Sequence, residues 1–243
     1  MKKTLLLLVI LAMLPLKGTA QNTKNIDSTA VFILDKMGDM IGELVSCSVH
    51  VENSIDTLNA NKDLVKYYRH SEVKFSGPSK LVIQISGDEG QKGFWYDGSF
   101  LSYYNYDENN YVTLEAPETT LEMIDAMHKR FDFEFPAADF FYPTFVDDLL
   151  ENFDTIQYLG TTMIDQQECF HIIATNSTLN VQFWIMNAPQ KLPKRFLIIH
   201  KDLSNRQYES TFSNWDLNPS IPESVFEFLP PPDAKLISIM SKL

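Results

Sequence analysis

From Asp27 onward, apolar residues return every three or four positions, at Ala30, Ile33, Leu34, Met37, Met40, Ile41 and Leu44. That spacing is one face of an amphipathic helix, and Asp27 or Ser28 stands where a first-turn cap belongs. Beyond Leu44 the period shortens to two. Strand-like runs then occupy residues 47 to 58, 64 to 75, 80 to 86, 94 to 96, 100 to 106 and 111 to 115. Polar turns separate them, such as Gly77-Pro78, Asp97-Gly98 and Asp107-Glu108-Asn109-Asn110. Connections this short join antiparallel neighbours, whereas a parallel crossover needs a dozen residues or more. The pattern therefore predicts a meander.

Helical spacing comes back near Thr119 or Thr120, with Leu121, Ile124, Met127 and Phe131 on one side. A proline-bounded aromatic stretch (135 to 143) follows, and then a short helix carrying Phe145, Leu149, Leu150 and Phe153. Strands resume at 156 to 161, 169 to 174, 181 to 186, 195 to 200 and 206 to 215, and the chain ends in proline-rich extended sequence with an apolar piece at 236 to 240. With no internal repeat and no linker, residues 21–243 read as one α+β, mainly antiparallel domain of about 10 to 11 strands, with a leading helix and a helical insertion in its middle.

The first twenty residues stand apart. Lys2 and Lys3 precede an apolar run from Thr4 to Leu16, and Gly18 and Ala20 supply small residues before a cut, so residues 1–20 read as a cleaved signal peptide. The apolar run is too short to cross a hydrocarbon core and is interrupted by Pro15. No Cys follows Ala20, so no lipid anchor is expected and the product reads as a soluble periplasmic protein. Removing Lys2, Lys3 and Lys17 takes the net charge from -12 to -15. An excess of acid on that scale repels phosphate backbones and anionic lipid surfaces, which argues against nucleic acid and membrane docking as partners. Export permits a disulfide between Cys47 and Cys169, with two buried thiols on separate strands as the alternative.

Candidate chemistry is sparse. No two of the five histidines lie within five residues of one another, and no H-E-x-x-H, C-x-x-C, G-x-S-x-G or phosphate-binding glycine loop occurs, so no metal, cofactor or catalytic residue is assigned. Gly87, Gly90 and Gly93 read as a flexible hairpin turn, and His128 and His200 as half-exposed surface residues. Adjacent acids such as Asp147-Asp148 read as solvated faces, and the Asn176-Ser177-Thr178 sequon as accidental. Aromatic residues are a stronger signal. They crowd the strands and fall on both faces, as Phe183 and Trp184 do, which calls for two covers or for one cover and a hydrophobic cavity. On that reading Trp95, Phe100, Tyr104, Phe183, Trp184 and Phe196 are the candidate cavity-lining residues.

Several segments taken together resemble a family of periplasmic proteins of unknown function whose fold is similar to the LolA and LolB lipoprotein-localisation factors. They are YYRHSEVKFSGPSKLVIQ (67 to 84), GFWYDGSFLSYYNYDENNYVTLEAP (93 to 117), FPAADFFYP (135 to 143), YLGTTMIDQQECFHIIA (158 to 174) and residues 195 to 235 with their Asn-Trp-Asp-Leu and Phe-Leu-Pro-Pro elements. The resemblance implies an incomplete (half) antiparallel β-barrel curved around a hydrophobic cavity, with helices as its lid, and implies no reaction. LolA-type carriers hold acyl chains inside the barrel. The expected function is accordingly a non-catalytic, monomeric carrier for an apolar small molecule, lipid or acyl chain. A packed barrel that binds an envelope protein partner is the alternative, and a hydrolase-type enzyme a third.

Overall fold

The computed structural model describes residues 24–131, 133, 135 and 138–239. The expected signal peptide and the end of the last apolar piece lie outside the described residues. A short strand β1 (Asn25–Ile26) leads into helix α1 (Ser28–Gly42). Six strands follow: β2 (Ser46–Leu58), β3 (Leu64–Ser76), β4 (Lys80–Gly87), β5 (Gly90–Tyr96), β6 (Phe100–Asn105) and β7 (Asn110–Glu115). Helix α2 (Thr120–Phe131), a 3-10 turn (Ala138–Phe141) and helix α3 (Phe145–Asn152) form the insertion. The sheet then continues through β8 (Thr155–Ile164), β9 (Gln167–Thr175), β10 (Leu179–Met186), β11 (Pro193–His200) and β12 (Arg206–Leu217), and the tail adds β13 (Lys235–Leu236).

All of the strands belong to one 13-stranded sheet in the order β1-β8-β9-β10-β11-β12-β2-β3-β4-β5-β6-β7-β13. The ladder is antiparallel except at its two ends, where β1 and β13 pair in parallel with β8 and β7. The sheet does not close, because its two end strands have no partner in each other. The eleven strands expected from periodicity are all present, and the two extra ones have two residues each, too few to carry a period. The largest boundary change is at β5, which begins at Gly90, so Gly93 is a strand residue and not part of a flexible turn. A Cβ at Gly93 would run into the Trp95 ring, so the glycine makes room for the indole lying over it.

Side-chain alternation and cross-strand register divide the sheet into two faces. On the concave face, α1, α3 and the 3-10 turn pack through Ile33, Leu34, Met37, Phe140, Phe145 and Leu149 against Phe183, Phe196 and Phe212, forming the larger core. A smaller core lies under α2, where Met123 and Met127 meet Leu81, Ile83, Tyr96 and Leu101. Asp27 caps α1, accepting from Thr29 N at 2.8 Å, while its backbone N–H donates to Ile156 O of β8 at 2.8 Å. The cap thus fixes both where the helix starts and which strand it sits beside.

The convex face is covered by the tail. Ser46 Oγ donates to Pro219 O at 2.7 Å, Lys80 Nζ pairs with Glu223 Oε2 at 2.9 Å, and Asn109 Nδ2 donates to Asp233 O at 3.2 Å, so the strap crosses from β2 to β7. Between these anchors Phe226 is fully buried, and the Phe228 ring lies 4.9 Å from Trp95, 5.9 Å from Tyr104 and 5.6 Å from Tyr111.

Truncation should reveal the strap. Phe226→Ala is expected to cost about 3 to 5 kcal/mol as a large-to-small change at a buried site. Phe228→Ala, which loses three ring contacts at a half-buried position, should cost about 1 to 2 kcal/mol. Denaturant midpoints check both, and equal costs for the two would contradict the arrangement. Backbone hydrogen bonds from Thr29 and Tyr158 hold the Asp27 carboxyl below its ordinary value of 3.8. A depressed folded value means that its stabilisation is complete above about pH 3.8 and lost as the pH falls through the folded value. Asp27→Asn should therefore flatten the acid limb of the stability profile below that pH.

Candidate functional site

Between the two cores the concave face is not filled. The register explains why, because cross-strand rows place residues side by side. One row runs Phe212, Val51, Ser71, Ile85, and the next runs Val49, Val73, Ile83, Phe94, Tyr103. The first row has its ring, Phe212, at the β12 end and the second its rings, Phe94 and Tyr103, at the β5–β6 end, and on β2 and β3 between them the side chains are small. Neither α1 nor α2 reaches over that centre with a ring, and a cavity of about 540 Å³ remains.

Its floor is Val51, Ser71, Val73 and Phe75 of β2 and β3 with Leu81 and Ile83 of β4. Ile41 and Leu44 close one side, Thr120, Leu121 and Ile124 of α2 the other, and Phe135, Ala138 and Phe141 lie across it. None of the described residues that line it carries a titratable side chain. The rim lies where the α1–β2 connection, the β3–β4 hairpin and the start of α2 meet. Here Val45 is 68% exposed, and Gly42 and Pro78 are exposed too. Two backbone hydrogen bonds tie the rim together, Gly77 N to Val45 O at 2.8 Å and Thr120 N to Pro78 O at 2.9 Å. The start of α2 is fixed further by Tyr96, whose hydroxyl donates to Pro117 O at 2.5 Å. At the cap, Thr119 Oγ1 accepts from Glu122 N at 3.3 Å and donates to Glu122 Oε2 at 2.8 Å. One polar atom of the wall is unsatisfied: Thr120 is 5% exposed, and its Oγ1 has no hydrogen-bond partner among the described residues.

The six aromatic residues expected at the cavity lie elsewhere. Phe183 and Phe196 do face the concave side, but as solid core, 5.4 Å apart and within 6.3 Å and 5.3 Å of Phe140. Trp95 and Tyr104 are on the convex face under the strap, and Phe100, on that same face, is 44% exposed. Trp184 is convex as well, stacked on His171 at 4.4 Å. The rings that do line the cavity are Phe75, Phe135 and Phe141, and its floor beside Phe75 is made of Val51, Ser71 and Val73. Counting face parity outward from Phe75 would have found them.

The disulfide is not formed, and Cys47 and Cys169 are free, buried thiols. Register sets Cys47 beside Phe75 on the concave face and Cys169 beside Met186 on the convex face, with β10, β11 and β12 between their strands. Burial pushes the Cys47 thiol up to about 12 and the Cys169 thiol up to about 11.

The chain belongs to the DUF2092 family of predicted periplasmic proteins, which it matches over residues 30–240. No curated protein matches it in sequence. Its fold is similar to that of an uncharacterised conserved protein from Thermus thermophilus, with a TM-score of 0.51 at 10% identity over 86% of this chain and 98% of that one. Lipoprotein LppX of Mycobacterium tuberculosis gives a TM-score of 0.50 at 17% identity over 81% and 98%. A LolA superfamily protein from Nitrosomonas europaea aligns over 82% and 97% at 12% identity, with a TM-score of 0.39. At such identities the likeness is one of fold. No described helix is long and apolar enough to cross a membrane.

Two buried protonated thiols on opposite faces predict a specific chemical behaviour. The native protein at pH 8 should resist a thiol reagent such as dithionitrobenzoate and release two equivalents only on unfolding, and its melting temperature should not change with reductant. Rapid native labelling, or a reductant-sensitive melt, would count against the assignment.

Proposed function

We propose that this DUF2092 protein is a non-catalytic periplasmic carrier that holds an apolar ligand in the cavity between its two cores. The observation that carries the reading is a 540 Å³ space on the concave face whose described lining has no titratable side chain. Such a wall offers dispersion contacts and a dry surface, which suits a hydrocarbon chain at about 0.8 kcal/mol per buried CH₂ and offers nothing to a charged substrate. An enzyme would need convergent acid, base or nucleophilic groups in that cleft. A scaffold with a filled barrel would leave no such space. The periplasmic assignment of the family supports the reading, as does a fold shared with the lipoprotein LppX. In this proposal α2 is the movable lid, since its inner face is built on Met123 and Met127, whose unbranched thioethers repack easily.

The test is occupancy. Protein purified from its native periplasm should release lipid on solvent extraction, detected by mass spectrometry, and the stripped protein should bind the apolar fluorophore N-phenyl-1-naphthylamine at about one per chain. Val73→Trp and Ile83→Trp, which place an indole on the cavity floor, should each lower that binding at least tenfold while the fold, by circular dichroism, is kept. No extracted lipid together with no fluorophore binding by the wild-type protein would sink the proposal.

A further inference from the structure

The histidines are far apart in sequence, but strand pairing brings two of them together. β2 carries His50-Val51-Glu52 and β3 carries His70-Ser71-Glu72, and the antiparallel register sets His50 opposite Glu72, Val51 opposite Ser71 and Glu52 opposite His70. Side chains alternate along a strand, so Val51 and Ser71 point to the concave face, where they line the cavity floor, and the other four share the convex face. They form a two-by-two block. Each imidazole has one carboxylate across the ladder and another two residues along its own strand, and the two imidazoles stand on the diagonal, within reach of side chains of this length.

Distances within the block are short. His50 Nε2 lies 3.9 Å from Glu72 Oε1, and the two imidazole centroids are 5.7 Å apart with their planes at 81°. Two donors on one tetrahedral zinc ion, each about 2.0 to 2.2 Å from it, are about 3.4 Å apart, and two imidazoles on such an ion have centroids about 5.2 Å apart. Both gaps are therefore wider than ligation needs by about half an ångström. Among the described residues no three such donors are gathered around one point as they stand. Small side-chain rotations would gather these, because all four are at the surface: the His50 and Glu72 side chains are 37% and 49% exposed, and Glu52 and His70 are exposed as well.

The neighbouring strand adds an orienting group. The β12–β2 ladder shifts register between Ser213 and Asp216, and Asn214, with a φ of 52°, leaves the ladder so that its Nδ2 lies 3.2 Å from His50 Nδ1. An amide at one ring nitrogen holds the imidazole plane and keeps Nε2 on the Glu72 side, which is the service that partners of metal-bound histidines perform. With the amide turned over, its oxygen accepts from Nδ1–H and the Nε2 lone pair is free. Charge does not oppose an ion here. The convex positions that border the block in register are Ser213, Thr211, Gln84 and Ser86, all neutral, and Lys74, two residues beyond Glu72, is the next cation along β3. Among the described residues neither Glu52 nor Glu72 is paired with a Lys or Arg, and the one ion-pair contact of Glu72 is His50.

Imidazole nitrogens together with carboxylate oxygens suit zinc, whereas magnesium and calcium take oxygen ligands. We propose that His50, His70 and Glu72, with Glu52 beside them, bind one zinc ion on the convex face and so clamp β2 to β3 directly behind the cavity floor. This site is independent of the carrier reading, and either can fail without the other.

Calorimetric titration of the tag-free protein, stripped with EDTA and dialysed at pH 7.5, should show one zinc ion per chain and no binding of magnesium or calcium at the same concentrations. His50→Ala and His70→Ala should each weaken zinc at least tenfold and Glu72→Gln at least threefold. His128→Ala on α2 and His200→Ala at the end of β11 should leave it within twofold. Zinc at about a hundred times its dissociation constant should raise the melting temperature of the wild type by about 5 to 10 °C and leave that of the variant lacking both His50 and His70 unchanged. Cobalt in place of zinc should give the intense visible bands of a tetrahedral ion, and these should vanish in the same double variant, whose metal-free melt reports that it folds. Failure of the wild-type protein to bind zinc one to one, or one-to-one binding that survives loss of both histidines, would overturn the proposal.

Discussion

A sheet of 13 strands spaced about 4.8 Å apart spans nearly 58 Å from edge to edge, and when it curves without closing, its whole concave face has to be kept from water. No single described helix can do that. With a rise of about 1.5 Å per residue, the 15 residues of α1 reach about 22 Å and the 12 residues of α2 about 18 Å. The interior is therefore roofed in two pieces, and the packing differs beneath each. Under α1, α3 and the 3-10 turn, phenylalanine rings interlock: Phe140 lies within 5.3 to 6.3 Å of Phe145, Phe183, Phe196 and Phe212. Under α2 the buried fill is two methionines with Leu81, Ile83, Leu101 and a single fully buried ring, Tyr96, and phenylalanines such as Phe94 and Phe131 are only partly buried against it. Where the two roofs meet, the floor is Val, Ser and Val, and the space stays open.

The aromatic content of the strands has a second consequence on the other side of the sheet. Trp95, Tyr104 and Tyr111 would leave an apolar patch on the convex face of β5 to β7, which in an exported protein would invite association. The strap that follows β12 covers it with Phe228. Open edges raise the related hazard of unpaired backbone, and β1 and β13 cover it over only two residues each, Thr155 and Ile156 of β8 and Asn110 and Tyr111 of β7. The same tail that covers the convex face also supplies one of the edges.

Much of this was legible in the sequence because period and turn chemistry are local. The positions of α1, α2 and α3 and of eleven strands follow from spacing alone, and the resemblance added that the meander curves into a half-barrel. What was not legible depends on pairs distant in sequence. Which face Phe183 or Trp95 takes is fixed by parity, but whether that face is filled depends for Phe183 on Phe140, 43 residues earlier, and for Trp95 on Phe228, 133 residues later. The candidate site was misplaced for the same reason. Rings attract attention as ligand contacts, yet Phe183 and Phe196 are packed into the core, and the cavity floor beside Phe75 is Val51, Ser71 and Val73. Thr120 could not be singled out from the sequence, since an unpartnered hydroxyl is visible only once its neighbours are in place.

The two cores also differ in how much they resist movement, and the difference bears on how a carrier would load. The larger core runs continuously from α1 through the 3-10 turn to β8–β12, and Asp27 locks α1 to β8 through both its side chain and its backbone. Displacing α1 would expose several phenylalanines at once. By contrast, α2 buries Thr120, Met123 and Met127. It is tethered at its start by Thr120 N to Pro78 O and beyond its end by Tyr142, whose hydroxyl donates to Asp125 Oδ1 at 2.6 Å. Local opening free energy follows buried apolar contact, so the cheaper motion is that of α2. That motion would widen the rim at Val45, which is 68% exposed, and at Pro78.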